Sequence, residues 1–190
     1  MTTMTPVSAF AGLPMPQANG VVIHEIDGLG LASVMVRKGQ GAALASRVRR
    51  SFGIELPPGP RLALAEGIGF IGTGPGAWLA IRENAGNAFS SSLREAIGDF
   101  ASVVDQSDGV GVVRVSGPKV RDALCKLFAI DLDARAFQPG DAAVTPAGHV
   151  GAVLWRVDDL AGSPAFEIAV HRSFAADFWA HLIEAAAEFG

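Results

Sequence analysis

With 190 residues, 49% of them hydrophobic, the chain is long enough to bury the core of one large domain or two small ones. A formal net charge of −4, with no basic cluster beyond Arg47, Arg49 and Arg50, excludes a phosphate-neutralising stripe and argues against nucleic acid as a partner. The charged fraction of 18%, below the roughly 25% of an average soluble domain, and a mean hydropathy of +0.34 imply that another molecule covers part of the surface.

Residues 1–20 show no hydrophobic period and read as an arm, in which Phe10, Leu13 and Met15 are apolar enough to dock on a neighbour. No Asp, Glu, Lys or Arg precedes Glu25, yet Pro6, Pro14 and Pro16 disfavour a membrane helix. The first basic side chain is Arg37, too late for a secretory signal. The single cysteine, Cys125, excludes an internal disulfide and a multi-cysteine metal site. A cytoplasmic location without membrane association is the expectation.

A first α+β half spans residues 21–101. Its alternating strand Leu31 to Arg37 leads into a helix over Ala42 to Phe52, with arginines towards the C-terminal end, where they favour the helix dipole. Two extended segments follow, Arg61 to Ala65 and Trp78 to Ile81, with GIGFIGTGPG read as their connection. A helix over Ala88 to Ile97 then stops at Gly98.

A second half, residues 102–190, repeats this order. Strand Val112 to Val115, Gly117-Pro118 and a helix over Lys119 to Phe128 precede strands near Ala142 to Thr145, Val150 to Val157 and Ala165 to Val170. In the last helix Ser173 is the expected N-cap, and Phe174, Phe178, Trp179, Leu182, Ile183 and Ala186 share one apolar face. The first helices of the halves match at Leu44/Val120, Val48/Leu124 and Phe52/Phe128, always 76 positions apart. Ile54-Glu55-Leu56 and Ile130-Asp131-Leu132 follow them. The expected fold class is therefore α+β: two ferredoxin-like β-α-β-β-α halves related by an internal repeat, each sheet with helices on one side.

Few residue groups suggest chemistry. GTGPGAW, Gly72 to Trp78, has the glycines of a phosphate loop but precedes a strand instead of a helix, which favours a hairpin connection. Ser173, Asp177 and His181 hold the residue types of a hydrolase triad on one helical ridge, where a cap and a solvated pair are the simpler reading. His24, His149 and His171 share no metal-ligand spacing. Cys125 reads as a buried small hydrophobe, and Trp78, Trp155 and Trp179 as core. Arg114, Arg121, Arg135, Arg156 and Arg172 are candidates for interface ion pairs or solvated charges.

VVDQSDGVGVVRVSGPKVRDAL resembles the Asp-x-Ser, strand and Gly-Pro of the aminomethyltransferase (glycine-cleavage T-protein) fold, a TrmE-like folate-binding fold. More closely, the chain is similar along its length to the gamma subunit family of heterotetrameric sarcosine oxidase. The similarity rests on Ser8 to Leu13, Gly74 to Leu79, Ile130-Asp131-Leu132 with Arg135-Ala136-Phe137, and Leu154-Trp155-Arg156. Phe166-Glu167, Arg172-Ser173-Phe174 and Glu188-Phe189-Gly190 complete it.

The resemblance implies a non-catalytic subunit with no catalytic, cofactor or metal residues of its own. Its partners would be the alpha, beta and delta subunits, which hold FAD, FMN, NAD, tetrahydrofolate and zinc. The complex would demethylate sarcosine to glycine and pass the methyl carbon to tetrahydrofolate. Self-association is open to the isolated chain. The arm Pro6 to Met15 and apolar parts of Trp155 and Phe89 are the expected contacts. Gly76-Ala77 and Leu127-Phe128 depart from the family pattern and leave sarcosine, dimethylglycine and N-methylglutamate open as substrates. The alternative is a free-standing folate-binding one-carbon transfer or repair protein, with Asp105 or Asp131 meeting the pterin.

Overall fold

Alternation of side chains along Leu31-Ala32-Ser33-Val34-Met35 sends successive residues to opposite faces, so a strand built from it has apolar groups on both sides. A computed structural model, which describes residues 7–14 and 20–189, shows how two such sheets use both faces. In chain order the elements are β1 (Val22–Glu25), β2 (Gly30–Val36), α1 (Gly41–Phe52), β3 (Leu62–Ala65), β4 (Ile68–Gly74), β5 (Ala77–Arg82) and α2 (Ala88–Ile97). After these come β6 (Ala101–Asp105), β7 (Val110–Ser116), α3 (Val120–Leu124), β8 (Ala142–Ala147), β9 (Val150–Leu160), β10 (Ser163–His171), a 3-10 turn (Arg172–Phe174) and α4 (Ala175–Ala187).

One antiparallel sheet has the order β3-β4-β5-β2-β6 and the other β8-β9-β10-β7-β1. The orders match strand for strand, and the end strands are exchanged. β6 pairs with β2, whereas β1 pairs with β7 across the chain. The boundary expected between 101 and 102 falls inside β6.

The sheets face each other across a core formed by Leu31, Ile71 and Leu79 of one and Val112, Trp155 and Ala169 of the other. Helices cover the outer faces. α1 and α2 bury Leu44, Val48, Phe89 and Leu93 against Val34 and Phe70. α3 and α4 bury Val120, Leu124, Phe178 and Leu182 against Val113, Leu154 and Phe166. Each large side chain so buried contributes about 1.5–3 kcal/mol, so the three apolar layers dominate stability. Among the described residues no helix is long and apolar enough to cross a membrane.

Several local expectations change. GIGFIGTGPG is not only a connection: it forms β4 and the hairpin turn into β5, where Gly76 takes a φ of 68°. The glycines that weaken its strand signal allow close packing. A Cβ on Gly72 would lie 2.0 Å from the Gly59 carbonyl oxygen, and one on Gly69 would lie 2.8 Å from Ile81 Cγ1. Three strands therefore separate α1 from α2, not two.

α3 ends at Leu124, short of the expected Phe128. The chain there leaves the helix for the edge of β8, where Phe128 bridges Ala147 and the Leu127 carbonyl accepts the Gly148 amide at 2.8 Å. Cys125, just past the helix end, is exposed, contrary to the expected burial. Ser173 makes no capping bond and lies in the 3-10 turn, and Phe174 is exposed instead of joining the apolar face of α4.

The arm also differs. Phe10 is buried in the chain's own core, its ring centroid 5.2 Å from that of Trp179, and Leu13 packs beside it. Trp179 Nε1 donates to the Pro14 carbonyl at 2.8 Å, and Arg172 Nη2 donates to the Val7 carbonyl at 2.7 Å. Phe10 and Leu13 thus dock internally, not on a neighbour; Pro6 and Met15 lie outside the described residues. Trp155 and Phe89, expected to offer apolar contact area, are buried.

Candidate functional site

Strand register brings polar groups to the face between the sheets. Arg114 of β7 sits opposite Glu167 of β10, which sits opposite Trp155 of β9, so the three form a row across the sheet. Trp155 Nε1 donates to Glu167 Oε2 at 2.8 Å, and Arg114 Nε donates to Glu167 Oε1 at 2.8 Å. Glu83, after β5 of the opposite sheet, lies 3.7 Å from Arg114 Nη2. Both Glu167 oxygens are thereby satisfied, as a carboxylate only 4% exposed requires. Trp155, Glu167 and Arg114 are far apart in sequence, and only the pairing of β9, β10 and β7 brings them into one row.

Beside this row lies an open cleft of about 510 Å³, lined among others by Ser33, Met35, Thr73, Val144, Val153 and His171. None of its lining residues is Asp, Glu, Lys or Arg. Neither Asp105 nor Asp131 lines it. Asp105 ends β6, where its carboxylate accepts the Ser90 hydroxyl at 2.7 Å and the Ser107 amide at 2.9 Å. Burial pushes this carboxyl up, but the Ser107 amide, the Ser90 and Ser107 hydroxyls and Arg94 together outweigh it and hold it below its ordinary value. Asp131, exposed in the loop after α3, accepts the Asp133 amide at 2.9 Å. Both carboxylates are tied to local turns, and the cleft offers no carboxylate to meet a pterin.

Other candidate groups are also dispersed. His181 Nδ1–H donates to the backbone carbonyl of Asp177 at 2.7 Å, so no Ser173-His181-Asp177 relay forms. The His181 ring instead meets His149 edge-on at 5.0 Å, a pairing across the β8–β9 turn and α4 that spacing could not show. His171 lines the cleft, whereas His24 lies opposite Arg114 on β1. Among the described residues no group of three or more His, Cys, Asp or Glu could hold a metal ion.

The remaining arginines hold segments of the chain together. Arg156 is buried, pairs with Asp159 and lies 5.2 Å from the Phe166 ring centroid; Arg121 lies 5.3 Å from the same ring and donates to the Leu132 carbonyl. Burial, then the neighbouring Arg156 charge, lowers the Arg121 guanidinium from its ordinary value. Arg135 is exposed, 3.9 Å from Asp133.

Comparison with known proteins accords with this scaffold. The fold is similar to a chain of heterotetrameric sarcosine oxidase from Corynebacterium sp. U-96, with a TM-score of 0.81, 24% identity and coverage of 97% of this chain and 96% of that one. The glycine cleavage system aminomethyltransferase T from Bartonella henselae aligns with a TM-score of 0.64 and 13% identity, over 87% of this chain and 46% of that one. In sequence, sarcosine oxidase subunit gamma of Corynebacterium sp. (strain P-1) is 31% identical over 175 residues, 90% of this chain and 83% of the relative. The Arthrobacter sp. gamma subunit is 31% identical over 145 residues, 75% of this chain and 70% of the relative. The profile described as sarcosine oxidase, gamma subunit family, matches residues 38–188. This chain belongs to the sarcosine oxidase gamma subunit family.

Proposed function

We propose that the chain is the structural gamma subunit of a heterotetrameric N-methyl amino acid oxidase and contributes no catalytic group of its own. The observation that carries this reading is the similarity, over nearly the whole length of both chains, to a chain of heterotetrameric sarcosine oxidase. The site chemistry supports it. The face between the sheets holds an apolar core, the Arg114-Glu167-Trp155 row and a cleft whose lining has no Asp, Glu, Lys or Arg, and Asp105 and Asp131 serve local turns.

On this reading the alpha, beta and delta subunits hold FAD, FMN, NAD, tetrahydrofolate and zinc. The cytoplasmic complex converts sarcosine to glycine and delivers the methyl carbon to tetrahydrofolate. The matched strand orders support descent of residues 21–101 and 102–190 from one duplicated unit whose first strands were exchanged. An exchange of that kind locks the halves together, since neither sheet is complete without a strand from the other.

Co-expression with the candidate flavin subunits tests the proposal. The expected result is one complex by size exclusion that oxidises sarcosine, dimethylglycine or N-methylglutamate and loses assembly when this chain is omitted. A chain that stays alone with every flavin subunit overturns it. Titration calorimetry of the isolated chain with tetrahydrofolate separates the alternative: saturable heat supports a free-standing folate protein.

A further inference from the structure

The open end of the cleft and the strand beside it carry exposed apolar side chains. Met35 is 62% exposed, Val104 54% and Val144 53%. Met35 and Val144 line the cleft, as does Ser33, which the register places directly opposite Val104. Met35 is the diagonal neighbour of Val104 on the same face of β2 and β6, within side-chain reach. The apolar surface therefore runs out of the cleft, over the paired strands, and past the mouth.

Two features define what fits there. A small molecule filling the cleft leaves Val104 bare, whereas a polypeptide covers both cavity and face. The cleft lining also holds no Asp, Glu, Lys or Arg, and its one ionisable side chain, His171, is exposed, so an inserted ion would find little to replace its hydration. Ser33 and Thr73 supply neutral hydroxyls to the lining, and among the described residues no side-chain hydrogen bond engages them. Such a patch on a chain with few surface charges is the mark of a protein contact.

We propose that the cleft and the adjoining face of β2 and β6 receive an uncharged segment of a partner subunit. Several aliphatic or aromatic side chains of that segment occupy the cleft, and its backbone meets the hydroxyls of Ser33 and Thr73. The inference rests on the reading of the chain as a subunit and adds to it the surface and the chemistry of the contact.

The test uses the co-expressed complex. Met35→Asp and Val144→Asp place a charge at the mouth on side chains already more than half exposed, so each chain still folds, as circular dichroism checks. Each variant is expected to weaken retention of this chain in the complex by about tenfold or more, the effect of disrupting a central contact. Phe174→Asp, an equally apolar change in the 3-10 turn outside the cleft lining, is expected to leave retention unchanged. A benzophenone-maleimide probe on Ser33→Cys, in a Cys125→Ser background, is expected to cross-link a partner peptide poor in charge. A wild-type complex that Met35→Asp and Val144→Asp leave intact overturns this inference alone, as does cross-linking only to a second copy of the chain. A wild-type chain that enters no complex overturns the subunit reading and this inference together.

Discussion

Trp155 and Glu167, on adjacent strands of one sheet, share a hydrogen bond of 2.8 Å that is buried between the two sheets. Arg114 takes the other carboxylate oxygen, so one acid joins three strands at the layer where the halves meet. The row continues to His24 on β1, the strand exchanged from the first half. A polar group at this depth is tolerable only while every partner is present.

Glu167→Ala is accordingly expected to destabilise the chain by about 2–3 kcal/mol, somewhat less than a fully buried pair because Arg114 remains 29% exposed. Urea unfolding measures this. Arg114→Met combined with Glu167→Leu should recover part of the loss, because no buried charge is then stranded, while the Trp155 Nε1–H still lacks its acceptor. Equal stability of Glu167→Ala and the wild type would show that the row contributes little.

Phe10→Ala is expected to cost about 3–5 kcal/mol, the range for emptying a buried aromatic site. The same change should expose Trp179, whose ring faces Phe10 at 5.2 Å, and shift tryptophan emission to longer wavelength. Unchanged emission and an unchanged urea midpoint would mean that the arm does not hold its docked position.

Gly72→Ala should destabilise by about 1–3 kcal/mol, since packing strain of this kind shifts backbone, and the new Cβ would meet the Gly59 carbonyl oxygen at 2.0 Å. Gly74→Ala, with open space at its Cβ position, should stay within about 0.5 kcal/mol of the wild type. Thermal melts of the two variants distinguish close packing at Gly72 from a general intolerance of substitution in this segment.

Asp105 sets a pH dependence. Its carboxyl is held below the ordinary value in the folded chain, so its stabilising contribution is present above the unfolded value, near 4, and is lost as pH falls through the folded value. Asp105→Asn should flatten this part of the profile of unfolding free energy between about pH 2 and pH 5. An identical acid slope in wild type and variant would sink the assignment.

The elements most legible in the sequence are those whose information is local. α1 and α2 follow from the spacing of Leu44 and Val48 and of Phe89 and Leu93, and Gly53 and Gly98 mark where they stop. β4 was obscured because Gly69 and Gly72 erase strand propensity for the sake of neighbours supplied by Ile81 and the Gly59 backbone. For the candidate site, spacing gave GTGPGAW a strand instead of a helix to follow it and put Ser173, Asp177 and His181 on one helical ridge. The row of Arg114, Glu167 and Trp155 stayed hidden, since its members come from three strands that only pairing brings together.

Composition, periodicity and turn chemistry thus establish a mixed α+β chain with helices laid on apolar strands, because those signals act within a few turns of one segment. The exchange of β1 and β6, the burial of Phe10, the exposure of Cys125 and the uncharged cleft at Met35 and Val144 were decided by tertiary structure. Each depends on which distant residues remove or admit water, and a residue's own neighbours in sequence carry no record of that.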